Sequence, residues 1–210
     1  TIKTRMNYES IDVLCNLPSH FKIPLLKEIF NPTLSKHPLV ASLIELDHGF
    51  VEDLLDEALA DRALHKGEVL FRTGGQADQM HFTVPGHRNA AHVPVLHYRR
   101  AEAGVGVLGG QWICEAALFI QDWSYRGDCE AERRADLIGI TSVGFRNVLG
   151  KHKAHGAMTV VFLSFYATLF LDENAPALEP ALACSDIWCG REHAENNVRR
   201  ALQYARRSSL

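Results

Sequence analysis

Residues 67–86 read GEVLFRTGGQADQMHFTVPG. Two short apolar runs, VLF and MHFTV, stand between corners made by Lys66-Gly67, Thr73-Gly74-Gly75 and Pro85-Gly86. Runs of this length, closed by glycine and proline, predict short β-strands. The same rhythm extends outward in both directions. Upstream lies RALH at 62–65. Downstream come VPVLHY at 93–98 and VGVL before Gly109-Gly110, then RGDCEAE and ADLIGIT. Many short strands with a glycine near each corner predict a compact antiparallel barrel or roll.

Helical patterns flank this block. Asp47 is a predicted N-cap, followed by Phe50, Val51, Leu54, Leu55, Ala58 and Leu59 on one face. Before it, Phe21, Leu25, Leu26 and Ile29 recur at helical spacing, with Pro24 predicting a kink or a late start. After the strands, Phe145, Val148 and Leu149 begin a further helix. The run from Ala157 to Leu171 is the longest apolar stretch, at 15 residues. A bilayer span needs about 17–25, so a buried helix is the better reading. Beyond Asp172, Asn174-Ala175-Pro176 and Glu179-Pro180 read as a linker. Arg191 to Arg207 reads as one polar helix with a basic end.

Composition narrows the function classes. The 210 residues are 47% apolar and 22% charged, which is ordinary for a globular chain. Twenty-two basic against 25 acidic side chains give a formal charge of −3, so bulk charge does not point to a nucleic-acid binder. Five scattered cysteines are not a disulfide framework and suit a reducing compartment. The N-terminus carries no secretory pattern. Thr1 in place of an initiator Met is expected of a piece of a longer or processed chain. Among chemical motifs there is no P-loop, no G-x-S-x-G and no H-E-x-x-H, and nothing else argues for an enzyme. His81, His87, His92 and His97 fit no compact metal pattern. Cys184, Cys189 and His193 lack an evident fourth ligand.

The quoted stretch resembles the opening strands of cyclic nucleotide-binding domains, whose pattern is roughly G-[ED]-x-[IL]-[IF]-x-x-G, then M-[YF]-F, then G. Gly110 to Leu118, GQWICEAAL, resembles that family's phosphate-binding cassette, G-x-x-F-G-E-[IL]-[AC]-L. Leu137 to Leu149 resembles its last strand and following helix. Upstream, Glu9-Ser10-Ile11, Leu14, Leu17, Phe21, Leu25 and Lys36 to Val40 resemble the end of the C-linker of cyclic nucleotide-gated, hyperpolarisation-activated and ether-à-go-go type channels. The resemblance spans about residues 8–171.

It implies an α+β fold: an antiparallel, jelly-roll-like β-roll flanked by helices and preceded by a helical C-linker segment. The implied divisions are 1–46 for the C-linker end, 47–171 for the nucleotide-binding-like domain and 172–210 for a polar tail. The implied function is a cytosolic regulatory region of a voltage-gated, cyclic nucleotide-modulated cation channel, potassium-selective in type, on the cytoplasmic face of a membrane. It would bind cAMP or cGMP and bias gating. Its partners would be the nucleotide and the parent transmembrane domain, in a homotetramer, with no nucleic acid and no cofactor. The alternatives are the same fold without ligand in a gating role, or a soluble cAMP-responsive regulator.

The resemblance places the nucleotide site at Cys114, Glu115, Ala116, Ala117, Arg126 and Gly127. Glu115 would accept a ribose hydroxyl, or else cap the cassette helix. The amides of Cys114 to Ala117 would receive an anion, and Arg126 would pair with the phosphate. Two departures stand out. Cys114 replaces the family's glycine, and counting back from Leu137 puts Tyr125, not Arg126, in the arginine position. The apolar helix at 157–171 would be the lid, with Ser164 or Tyr166 facing the ligand. Trp112 reads as packing.

Overall fold

The computed structural model describes residues 17–86, 92–153, 158–174, 186–187 and 190–208. Among the described residues three helices come first. Helix α1 spans Ser19–Leu34, α2 Pro38–Leu46 and α3 His48–Glu57. Pro24 and Pro32 both lie inside α1, which runs unbroken from Ser19, so the late start predicted at Pro24 does not occur. Tertiary contacts offset the lost backbone bonds. Leu26, Phe30 and Leu34 are buried one turn apart. Lys22 and Lys27 pair with Asp56 and Glu52 of α3 at 2.7 and 2.8 Å. This buried stripe leaves Phe21 outside, 61% exposed, contrary to its predicted place on the inner face.

The next two helices start on side-chain caps. The Nδ1 atom of His37 accepts from the Leu39 N–H at 3.1 Å, and Pro38 follows as the first helical residue, where its missing N–H costs nothing. Asp47 caps α3 by accepting from the Phe50 N–H at 2.9 Å, as the sequence predicts.

Eight strands follow: β1 Leu59–Leu64, β2 Val69–Phe71, β3 Gln79–Thr83, β4 Leu96–Arg100, β5 Ala103–Val107, β6 Trp112–Ile113, β7 Asp128–Ala131 and β8 Ala135–Thr141. They form two four-stranded antiparallel sheets, ordered β1-β8-β3-β6 and β2-β7-β4-β5. The fold is thus mixed, with helices packed around antiparallel sheets. Pro94 lies just outside β4, which begins at Leu96; a proline inside would cost a ladder bond. Leu70, Met80, Phe82, Leu96, Tyr98, Ile113, Leu137 and Ile138 are all buried, some between the sheets and some, like Phe82 against His37, under the helices.

A single-turn helix, α4 at Ala116–Phe119, sits between β6 and β7. After β8 come α5 Ser142–Lys153, α6 Met158–Asn174 and α7 Arg191–Ser208. Helix α6 is apolar on nearly every face and is covered accordingly. Phe162, Leu163, Tyr166, Leu169 and Phe170 are buried. Helix α7, the polar helix the sequence predicts, lies along α6 and also reaches α2. It presents small side chains for this purpose: Ala194, Ala201 and Ala205 are buried, with Val198 between them. Among the described residues no helix is long and apolar enough to cross a membrane. Residues 1–16, with the upstream part of the C-linker resemblance, and the linker at 175–185 lie outside the described residues, as does Cys184.

Candidate binding site

The predicted site residues fall at two places: the β6–α4 corner and the loop entering β7. At the first, β6 ends and Cys114 turns the chain with a left-handed φ of 63°. That conformation favours glycine, the residue found here in the pattern the corner resembles. Cys114, Glu115, Ala116 and Ala117 are all buried. Two of their four amides are engaged within the chain. The Cys114 N–H donates to the Asp186 carbonyl at 2.6 Å, and the Ala117 N–H donates to the Cys114 carbonyl at 3.1 Å.

Glu115 is 1% exposed. Its Oε1 accepts from the Tyr166 hydroxyl of α6 at 2.6 Å, and its Oε2 lies 3.0 Å from the Nε2 of His37. Both oxygens therefore face protein groups. Ser164, the other residue predicted to face a ligand, is exposed and donates back to the Val160 carbonyl within α6. Trp112 is half-buried and packs edge-on against His37, with ring centroids 4.4 Å apart.

At the second place, the loop before β7 is fastened along its length. The Gly74 and Ala77 N–H groups donate to the Tyr125 and Trp123 carbonyls, and the Tyr125 N–H donates to the Gly75 carbonyl. The Tyr125 ring stacks on Phe71 at 3.9 Å, nearly parallel. Arg126 is exposed, and its guanidinium lies over the Trp123 ring at 4.7 Å. The Tyr98 ring lies against Gly127. A Cβ there would meet the Tyr98 Cζ at 2.6 Å, so only glycine fits. Asp128, beside them, turns the other way. It accepts from the Thr73 N–H and hydroxyl at 2.8 and 2.9 Å and from Arg72 at 3.2 Å. Those contacts hold its carboxyl below the ordinary value, led by the Thr73 N–H.

The two places meet on a residue the sequence did not single out. Asp186 is fully buried. Its Oδ1 accepts from the Trp123 indole N–H at 3.0 Å. Its Oδ2 accepts from the Tyr98 hydroxyl at 3.0 Å, the Arg126 N–H at 2.7 Å and the Gly127 N–H at 3.1 Å. Its carbonyl takes the Cys114 N–H. One aspartate from the segment before α7 therefore joins the cassette corner, β4 and the β7 loop.

Charge and burial act together here. Burial raises the Asp186 carboxyl above its ordinary value, against the pull of the four donors. Burial, followed by the nearby Asp186, also pushes up both thiols: Cys114 well above its ordinary value and Cys129 to about 12. Neither thiol is a nucleophile in such surroundings. Of the predicted residues, Arg126 and Gly127 do reach a carboxylate through their backbone, but the carboxylate is the protein's own. A tail aspartate carries no local motif, so no sequence signal marked it.

A separate cavity of about 320 Å³ opens beside β6, lined by Lys36, Val107, Gly110, Trp112, Ile187 and Arg191 among others. Among the described residues no three His, Cys, Asp or Glu side chains converge as metal ligands. No family profile and no curated protein matches the chain.

Proposed function

We propose that this chain is a regulatory module of the cyclic nucleotide-binding type whose anion site is filled by its own Asp186. Its place would be the cytoplasmic face of a membrane, biasing the gate of a voltage-gated, potassium-type cation channel. Three features support the module type. The strand order is that expected of a jelly-roll-like β-roll built from two Greek keys. A single-turn helix stands between β6 and β7, where the resemblance puts the cassette. Two long apolar-faced helices follow the last strand.

The observation that carries the self-filled reading is the Asp186 carboxylate on its four donors. A carboxylate and a phosphate ask for the same partners, namely N–H and O–H groups converging in a dry place. A tethered anion is also present at high effective concentration, so a free one must displace it. Glu115, the expected ribose contact, is likewise held by Tyr166. In this reading the module transmits gating strain without added ligand, as in the ether-à-go-go type alternative.

The test is calorimetric titration with cAMP and with cGMP, on the chain and on Asp186→Asn. No heat from the folded native chain at millimolar nucleotide is the expected result. Micromolar binding by the native chain would overturn the self-filled reading and favour a nucleotide sensor in which ligand displaces Asp186.

A further inference from the structure

Three elements far apart in sequence meet at the Glu115 carboxylate. His37 comes from the start of α2, Glu115 from the start of α4 and Tyr166 from the middle of α6. All three side chains are essentially solvent-free, at 0, 1 and 0% exposure. The tautomer of His37 follows from its cap. Nδ1 accepts from the Leu39 N–H, so in the neutral ring Nε2 carries the proton. That N–H faces Glu115 Oε2 at 3.0 Å, though off the line of a good hydrogen bond. The opposite oxygen takes the Tyr166 hydroxyl at 2.6 Å, a short charge-assisted length. Trp112 and Phe82 close the space around the imidazole, with ring centroids at 4.4 and 6.2 Å.

The geometry points to a latch: Glu115 is the shared acceptor through which the seating of α6 and the N-terminus of α2 are set together. A buried carboxylate is held by the polar groups within its reach, here a hydrogen bond from Tyr166 at Oε1 and the close approach of His37 Nε2 at Oε2. If α6 lifts, Tyr166 leaves and Oε1 is stranded. The carboxylate then re-aims toward His37, the remaining donor, and pulls on the ring that caps α2. If α2 shifts, the His37 contact at Oε2 is lost and the carboxylate's re-aiming disturbs Tyr166. The first helices and the last long helix of the sheet domain are therefore linked through the cassette corner. This linkage stands whether or not the anion site ever takes a ligand.

Substitutions can separate the cap from the link. Asparagine caps helices well but is too short to reach Glu115, so His37→Asn keeps the start of α2 and cuts the link. Tyr166→Phe removes one hydroxyl and nothing else. Hydrogen exchange by mass spectrometry on the full chain reads both helices at once. His37→Asn is expected to speed exchange in α6 around Tyr166 about tenfold. Tyr166→Phe is expected to do the same in the first turn of α2. The double variant should add little to either single one, because each has already opened the same joint. Glu115→Gln is the milder variant should one of these not fold. It leaves one acceptor between two donors and should loosen both helices. Exchange that rises only in the mutated helix, or effects that simply add, would overturn the proposal. α2 and α6 would then communicate through their shared contact with α7, or not at all.

Discussion

Replacing Asp186 with alanine tests the junction most directly. The carboxylate satisfies four donors. The Arg126 N–H lies partly open and can turn to water. The other three cannot do so easily: Tyr98 and Trp123 are 3 and 2% exposed, and the Gly127 N–H is buried beneath the Tyr98 ring. A buried donor left unpaired costs roughly 1–3 kcal/mol. Three of them give about 3 kcal/mol at the low end of that range. Recovered desolvation of the carboxylate, whose burial raises its pKa, offsets part of this. A loss of about 2–4 kcal/mol is therefore expected for Asp186→Ala. Asp186→Asn keeps one acceptor oxygen and the shape, and should lose about half as much. Urea unfolding followed by tryptophan fluorescence measures both, since Trp123 donates to the group removed. At 210 residues each kcal/mol corresponds to about 2–4 °C in Tm. An alanine variant within 0.5 kcal/mol of the native chain, a margin of about the size seen at surface sites, would refute the reasoning. Asp186 would then be a surface residue of a loosely attached tail.

His81 is buried, its Nε2 has no hydrogen-bond partner among the described residues, and burial with the Arg62 charge lowers its pKa to about 4 from 6.5. The unfolded chain therefore takes up a proton that the folded chain refuses. Its contribution is whole above pH 6.5 and falls away toward pH 4, by up to about 3 kcal/mol; His81→Leu should flatten that acid limb in a Tm-against-pH series. Asp47 caps α3 and accepts from the Thr159 hydroxyl at 2.8 Å. Burial opposes its ionisation, but these hydrogen bonds and His152 outweigh it and hold its pKa below 3.8. Its stabilisation is thus present above that value and lost as pH falls below it. Asp47→Ala should cost about 1–2 kcal/mol at neutral pH in urea unfolding. Gly127→Ala places a Cβ 2.6 Å from the Arg99 carbonyl and from the Tyr98 ring. It should cost about 1–3 kcal/mol by overpacking, read in a calorimetric scan as a lowered Tm.

The sequence made the local parts of this fold legible and hid the parts made by distant contacts. Corners at Gly67, Gly74 and Gly110 are written in single residues, because each needs a positive φ that other side chains resist. The N-cap at Asp47 and the apolar run of α6 are likewise local, read from a few neighbours. Phe21 and Pro24 misled for the opposite reason. Spacing alone allowed two apolar stripes on α1, and the ion pairs to α3 help fix the one that turns inward. Proline propensity then lost to packing.

The site shows the same division with more consequence. Glu115 stands out because it sits in a motif, and Arg126 and Gly127 because they lie just beyond the position where the pattern expects an arginine; the cassette corner and the β7 loop meet on Asp186. What joins them comes from 60 residues beyond Arg126 and 88 beyond Tyr98. No periodicity connects Asp186 to either place, and its neighbours in sequence read as linker. The resemblance puts an anion on the Cys114 to Ala117 amides, whereas the Asp186 carboxylate sits on Tyr98, Trp123 and the backbone of Arg126 and Gly127. Only the packed chain tells that an anion is there. The displaced arginine has a physical sense in this light. With a carboxylate on backbone and ring donors, charge from the Arg126 side chain is not required, and its guanidinium is left to lie over Trp123.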